Sequence, residues 1–188
     1  MKNNKSTVSG KFVVFVGFIS FILAAIFFLL SQLISEAINS LTFSFLLLML
    51  IILFGITSDV IGTSVAAANE APFHAKASKK VAGAREGVLL IRNADRVANI
   101  ANDVIGDIAG TVSGALGIAL VLQIMTLWED FNRFLLNMLV TALIAALTVG
   151  GKAYGKKIAL SNSNEVIFFV GRIMAAFSSI TGIRIVKK

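Results

Sequence analysis

Polar residues that could bind a cation through oxygen atoms interrupt otherwise apolar stretches of this sequence. Ser58 and Asp59 stand in one stretch, and Asn102, Asp103 and Asp107 stand in a later one. An aspartate near the centre of a membrane helix costs roughly 2.5 to 3.5 kcal/mol on insertion scales, so such residues face a protein interior or water. Hydroxyl, amide and carboxylate oxygens are the hard ligands that Mg²⁺ and Ca²⁺ select. The residue types therefore predict an ion-binding cluster inside a helix bundle.

The spacing of the later group predicts a polar stripe on one helix. On an α-helix, Asn102 and Gly106 share one edge, while Asp103 and Asp107 share the next. Glycines recur every three or four residues along the same helix and predict close helix packing, with Gly106, Gly110, Gly114 and Gly117 in the series. A structural alternative stays open, in which the polar residues only join helices.

A lysine follows the fourth apolar stretch before the expected membrane surface. Lys152 lies in the segment GGKAYGKK, which also contains Lys156. An aspartate held against Lys152 would form an ion pair within the membrane. Lys152 is therefore predicted as a possible counter-ion of the buried aspartates.

The composition requires a lipid environment. Of 188 residues, 57% are apolar and 14% are charged, and the mean hydropathy is +0.89, which is outside the usual range of soluble domains. The net charge of +7 is better explained by cytoplasmic flanks beside anionic lipid than by nucleic acid. The chain contains no cysteine, and no nucleophile set, phosphate loop or HExxH pattern occurs. We therefore expect no enzyme activity.

Four apolar stretches have about the length needed to cross a bilayer, which predicts an all-α integral membrane protein with four transmembrane helices. These helices are expected at about 12–33, from 41 onward, at about 97–125 and at about 134–149. The first is too long for a cleaved signal peptide and lacks a convincing cleavage site. The Ser-Asn-Ser-Asn segment at 161–164 is expected to break the fourth helix. A fifth stretch at 166–183 carries Arg172 and repeats its large residues at helical spacing, which favours an amphipathic helix at the inner interface.

Charge distribution sets the orientation. The N-terminus, the segment 70–96 and the C-terminal tail are basic, whereas the loops around Glu36 and around Glu129 and Asp130 are acidic. The positive-inside rule then places both termini in the cytosol of a multi-pass cell-membrane protein. A cytosolic helical loop follows the second span, because the segment 70–96 is too charged to cross. A fifth span would put Lys187 and Lys188 outside, which disfavours it.

His74 and Glu70 are four residues apart and could share a helical face as metal ligands. Pro72 between them instead suggests a helix start, with Glu70 at the positive end of the helix dipole. The second interpretation is favoured.

Three short motifs resemble those of the transmembrane domain of the CNNM/CorC family of magnesium transporters. ITSD resembles the family's Ser-x-Ser-Glu motif, with Ile56 in its first place. ANDVIGDI resembles the Gly-Asn-x-x-x-Asn-Ile motif. GKAYGK resembles the Gly-Glu-x-x-Pro-Lys motif, with Lys152 in place of glutamate and Gly155 in place of proline. The resemblance covers residues 41–188, including a juxtamembrane helix at about 165–181. Residues 1–40 would add an N-terminal transmembrane helix and a short external loop. The family's cytosolic nucleotide-binding domains are lacking.

The resemblance implies a homodimer in the lipid bilayer, with no nucleic-acid partner, that binds or transports Mg²⁺. It implies oxygen ligands from Ser58, Asp59, Asn102 and Asp107, with Gly151 in the same site. The polar stripe adds Asp103 to the predicted ion-binding residues. The alternative function is a non-transporting membrane scaffold or regulator in which Lys152 replaces the bound cation. A small lytic membrane protein fits less well, because it needs no polar stripe on several spans.

Overall fold

The computed structural model describes residues 10–38, 40–128 and 132–181, and these residues are helical, with no β-strand among them. The helices are α1 (Gly10–Ile38), α2 (Leu41–Ala67), α3 (Ala71–Ser78), α4 (Ala84–Arg92), α5 (Ala94–Asn99), α6 (Asp107–Leu127), α7 (Arg133–Ser161) and α8 (Ser163–Thr181). A π-helical segment, Ile100–Gly106, joins α5 to α6. Glu129, Asp130, Lys187 and Lys188, which entered the orientation argument, lie outside the described residues.

Within the described ranges, five helical stretches are long and apolar enough to cross a membrane, which is the pattern of a multi-pass membrane protein. They are Val13–Ile34, Leu41–Ala67, Ala94–Leu127, Arg133–Ser161 and Ser163–Thr181. The first four overlap the predicted spans, and the fourth continues as helix to Ser161, past the predicted end at about 149. The fifth is α8, which was predicted to lie at the inner interface. Its length and composition are compatible both with crossing the membrane and with lying at its surface.

Local sequence explains where several helices begin and end. Ser40 caps α2, with its hydroxyl accepting a hydrogen bond from the Phe43 amide, and Asn132 caps α7 through the Phe134 and Leu135 amides. Pro72 stands in the first turn of α3, as predicted. Asn162 separates α7 from α8, at the predicted break.

Helix α2 lies at the centre of the bundle and packs against α6, α7 and the π-helical segment. The bundle core contains eight buried apolar side chains from α2, the π-helical segment, α6 and α7: Leu48, Ile52, Val104, Ile108, Val112, Leu116, Leu120 and Ile144. A second, smaller core contains Val65, Phe73 and Ile167, at the end of α2 and its contacts with α3 and α8. Ser58 and Asp59, with Asn102 packed against the same helix, form what we call the polar cluster. It lies along α2 between these two cores.

Candidate functional site

The polar half of α2 buries two of the predicted site residues. Ser58 is 7% exposed and Asp59 is 4% exposed. The Ser58 hydroxyl donates a hydrogen bond of 2.7 Å to the carbonyl oxygen of Ala101 in the π-helical segment. This bond ties the second span to the third at the level of the cluster.

The π-helical segment was not predicted from the sequence. Its wider i→i+5 hydrogen bonding interrupts the α-helical register of residues 100–106, and such single interruptions occur frequently at functional sites. Asn and Asp compete with the backbone for hydrogen bonds, so the density of these residues in NIANDVIGD is the one sequence signal that points to an irregular helix here. Asn102, Asp103 and Gly106 all belong to this segment.

Asn102 lies directly on α2. Its side-chain oxygen, Oδ1, packs against Gly62, so closely that a Cβ atom on Gly62 would overlap the amide group. Oδ1 of Asn102 and Oδ2 of Asp59 are both buried and have no hydrogen-bond partner among the described residues. Two neighbouring helices therefore each bury an acceptor oxygen that no donor satisfies.

Two lysines of α7, one turn apart, lie beside the cluster. Nζ of Lys152 is 3.4 Å from Oδ1 of Asp107, and Nζ of Lys156 is 3.9 Å from Oδ2 of Asp59. The Lys152 side chain is 20% exposed, whereas Asp107 is 72% exposed. Lys152 thus approaches Asp107, one of the aspartates for which it was predicted as a counter-ion, whereas the buried carboxylate of Asp59 has Lys156 as its nearest lysine.

Glycines let α7 approach α2. Gly151 packs against Ile56, and a Cβ on Gly155 would lie 2.7 Å from Cγ2 of Val60. A Cβ on Gly106 would lie 3.4 Å from Nζ of Lys152. Gly151, which the resemblance placed in the ion site, contacts the Ile56 side chain.

The outer face of the third span carries the remaining predicted residues. Asp103 is exposed, and its carboxylate accepts a 2.6 Å hydrogen bond from Nδ2 of Asn99. Gly110 and Gly114 have open space where a Cβ would stand, so the packing predicted for them is not made within one chain. Asp107 lies on the same open side, since it is largely exposed.

Glu70 and His74 form an ion-pair cluster outside the spans. Oε1 of Glu70 accepts hydrogen bonds from Nε of Arg92 at 2.6 Å and from Nε2 of His74 at 2.8 Å. The hydrogen bond from Arg92, followed by that from His74, lowers the pKa of Glu70 below its ordinary value. Since Nε2 of His74 is engaged with Glu70, this geometry fits the helix-start interpretation better than a metal site.

No group of three or more His, Cys, Asp or Glu side chains that could hold a metal ion occurs in the part of the chain that the structure describes. A cation in the cluster would therefore be bound by one carboxylate together with hydroxyl, amide or backbone oxygens. Such a mixed oxygen set is compatible with Mg²⁺, which is commonly held by one or two carboxylates and water.

The fold and these residues define a class: a helical multi-pass membrane protein whose second helical stretch buries Ser58 and Asp59 and packs against Asn102 of the third. Comparison with family models, with curated proteins and with solved structures gave no match for this chain. The resemblance to the CNNM/CorC family therefore stays a prediction that rests on the three short motifs.

Proposed function

We propose that this protein is a divergent CNNM/CorC-like membrane protein that binds, and in the cell moves, a divalent cation such as Mg²⁺ within its helix bundle. The observation that carries the proposal is a pair of buried acceptor oxygens, Oδ2 of Asp59 and Oδ1 of Asn102, that receive no hydrogen bond from the described residues. Nζ of Lys156, at 3.9 Å, is the nearest cation to the first of them. Leaving a buried acceptor unsatisfied costs about 1 to 3 kcal/mol, and a cation bound by both oxygens would remove that cost.

The ligands in this proposal are Asp59, Asn102 and Ser58. The Ser58 hydroxyl donates its hydrogen bond to the carbonyl oxygen of Ala101. The lone pairs of the hydroxyl oxygen therefore stay available to a cation. Asp107 acts as the counter-ion of Lys152, and Asp103 lies at the exposed edge of the cluster. Of the predicted ligands, the proposal thus keeps Ser58 and Asp59, which are buried on α2, and Asn102, whose side chain packs against α2.

Thermal unfolding of the purified chain with and without Mg²⁺ tests the site. We expect Mg²⁺ to raise the Tm of the wild type, and Asp59→Asn and Asn102→Ala to abolish this rise. Asp103→Asn is the matched control, because it makes the same chemical change at an exposed position of the neighbouring helix. If Asp59→Asn and Asp103→Asn respond to Mg²⁺ equally, the assigned ligands are wrong.

A second candidate is a non-transporting scaffold in which lysine ammonium groups neutralise the aspartates. It is favoured by the 3.4 Å approach of Lys152 to Asp107 and the 3.9 Å approach of Lys156 to Asp59. The informative pair is Lys156 with Asp59, because Asp107 is mostly exposed and exposed pairs contribute only about 0 to 1 kcal/mol. Lys156→Met should destabilise the chain, and adding Asp59→Asn should restore most of the loss. Additive losses would refute the counter-ion role.

The proposed topology has four spans, both termini in the cytosol and α8 along the inner interface. It is supported by the large apolar side chains that α8 exposes at spacings of three and four residues, namely Phe169, Ile173, Phe177 and Ile180. Because the chain has no cysteine, Lys188→Cys provides a single reactive thiol. We expect an impermeant maleimide to label it from the cytosolic side. Labelling from the outer side would make α8 a fifth span.

A further inference from the structure

An apolar groove lies where α1, α2 and the third helical stretch meet. Its volume is about 390 Å³. Helix α1 contributes Leu23 and Phe27 to its lining, and α2 contributes Leu50 and Phe54 among others. All of the lining residues are apolar, so a polar ligand in this groove would lose hydrogen bonds to water without gaining any from a side chain.

The groove runs along the helix axes. The lining residues named for α1 are four positions apart, as are those named for α2, and residues with this spacing lie above one another on one helix face. The third stretch contributes residues between Ile105, in the π-helical segment, and Val112, in α6. Seven residues correspond to roughly 10 Å at 1.5 Å per residue. The groove therefore has the shape of a channel for an elongated ligand.

The depth of the groove in the membrane restricts what can fill it. Its lining comes from the middle parts of three stretches that are long and apolar enough to cross a membrane, namely Val13–Ile34, Leu41–Ala67 and Ala94–Leu127. The middle of a bilayer lies about 15 Å from either face of its hydrocarbon core, which is about 30 Å thick. At that depth the surroundings of the protein consist of lipid acyl chains.

The groove is open to these surroundings between α1 and α2. Phe27 of α1 is 42% exposed, and Leu50 and Phe54 of α2 are 62% and 49% exposed. Its rim is therefore continuous with the apolar outer surface of the bundle. Side chains that line an unfilled groove lose the dispersion contacts that a neighbouring hydrocarbon would supply.

We propose that this groove binds an acyl chain of a bilayer phospholipid. The chain enters sideways between α1 and α2 and lies along the helix axes, while the headgroup stays at the membrane surface. The lining thus recognises the hydrocarbon chain and not the headgroup. The inference rests on the membrane position of the first three helical stretches, and neither the cation site nor the placement of α8 enters it.

Tryptophan fluorescence tests the groove, since bromine on an acyl chain quenches tryptophan only at short range. The sequence has a single tryptophan, Trp128, so Trp128→Phe provides a dark background. In that background Phe27→Trp places a fluorophore in the lining. Phe28→Trp is the matched control, because Phe28 is 43% exposed on the same helix and does not line the groove. Both exchanges are made at partly exposed aromatic positions, so both variants are expected to fold.

The full chain in detergent is titrated with phosphatidylcholine that carries bromine near the ends of its acyl chains. We expect quenching of Phe27→Trp to saturate and to be half complete at an about five-fold lower lipid fraction than quenching of Phe28→Trp, which corresponds to about 1 kcal/mol. Quenching of Phe28→Trp should simply follow the lipid fraction of the micelle. Equal curves for the two variants would mean unselective contact with lipid and would overturn the proposal.

A second variant fills the groove. Adding Leu23→Phe to Phe27→Trp enlarges a lining side chain and should shift the quenching midpoint about five-fold toward that of Phe28→Trp. Leu30→Phe is its control, because Leu30 lies on the same helix outside the groove. If both variants leave the midpoint unchanged, the chain does not bind in the groove. Should Leu23→Phe not fold, the comparison of Phe27→Trp with Phe28→Trp still decides the proposal.

Other occupants give different results. Weaker quenching of Phe27→Trp than of Phe28→Trp, together with a dimer mass in light scattering, would mean that a second copy of the chain covers the groove. Brominated stearic acid that quenches Phe27→Trp at a lower fraction than the phospholipid does would identify a free fatty acid. Either result would overturn the proposal. The Mg²⁺ response is measured without added lipid and fails or survives independently.

Discussion

Gly62→Ala is the most direct test of the contact between the second and third spans. A Cβ at this position would overlap the side-chain amide of Asn102, and Gly62 itself is buried. The new methyl group must therefore displace Asn102 or push α2 away from the π-helical segment. Either movement shifts Asn102 relative to α2, the helix that carries Asp59, and so disturbs the proposed cation site.

The size of the effect follows from two opposing contributions. Replacing glycine by alanine within a helix stabilises by about 0.8 to 1.0 kcal/mol, and forcing an extra methyl group into a packed site costs about 1 to 3 kcal/mol. Gly150→Ala is the matched control, because Gly150 lies within α7 and has nothing within 4 Å of its Cβ position. The gain in helix propensity is common to both variants. The difference between their free energies of unfolding therefore measures the cost of the contact between the new methyl group and Asn102.

The assay is thermal unfolding of both variants with and without Mg²⁺. A difference of 1 to 3 kcal/mol corresponds to a Tm for Gly62→Ala that is roughly 2 to 12 °C below that of Gly150→Ala. We also expect Gly62→Ala, but not Gly150→Ala, to lose the Mg²⁺-dependent rise in Tm. Equal Tm values together with equal Mg²⁺ responses would refute the packing of Asn102 on α2 and the site built on it.

Three further predictions concern other contacts of the chain. Ser58→Ala should lower the free energy of unfolding by about 1 to 3 kcal/mol, because the buried carbonyl of Ala101 loses its side-chain donor. Ser113→Ala, which removes a hydrogen bond within α6 only, should lower the free energy of unfolding less in the same measurement. Because the pKa of Glu70 is lowered from 4.5, its stabilising contribution is present above pH 4.5 and is lost as the pH falls through the lowered value. Unfolding followed over acid pH should thus show a smaller loss of stability for Glu70→Gln than for the wild type, and parallel curves would contradict this. Gly114→Ile meets open space within one chain. If the homodimer that the CNNM/CorC resemblance implies forms through this face, the variant should be a monomer in light scattering, and an unchanged dimer mass would exclude this face as the contact.

The spans and the main breaks could be predicted from sequence because the bilayer imposes a simple rule of length and apolarity. The break at Asn162 and the helix start at Pro72 follow from local backbone chemistry. The burial of Ser58 and Asp59 was also predictable, since polar residues in a span avoid lipid.

The two predicted edges of the third helical stretch agree with the burial, since Asn102 and Gly106 lie toward α2 while Asp103 and Asp107 are exposed. The pattern did not tell which of these edges faces α2. It also did not predict the wider π-helical turn between residues 100 and 106. The approach of Lys156 to Asp59 depends on the register between α7 and α2, which glycine contacts set and which no local pattern encodes.

The end of α2 is fastened to the start of α8. The hydroxyl of Ser163 donates to the carbonyl oxygen of Ala67 at 3.4 Å, and the amide of Asn69 donates to Oδ1 of Asn164 at 2.8 Å. Asp59 lies eight residues before Ala67, about 12 Å along the helix axis at 1.5 Å per residue. The first turn of α8 and the end of α2 are therefore joined by side chains, and a displacement of α8 is expected to reach α2 at a point about two turns from Asp59.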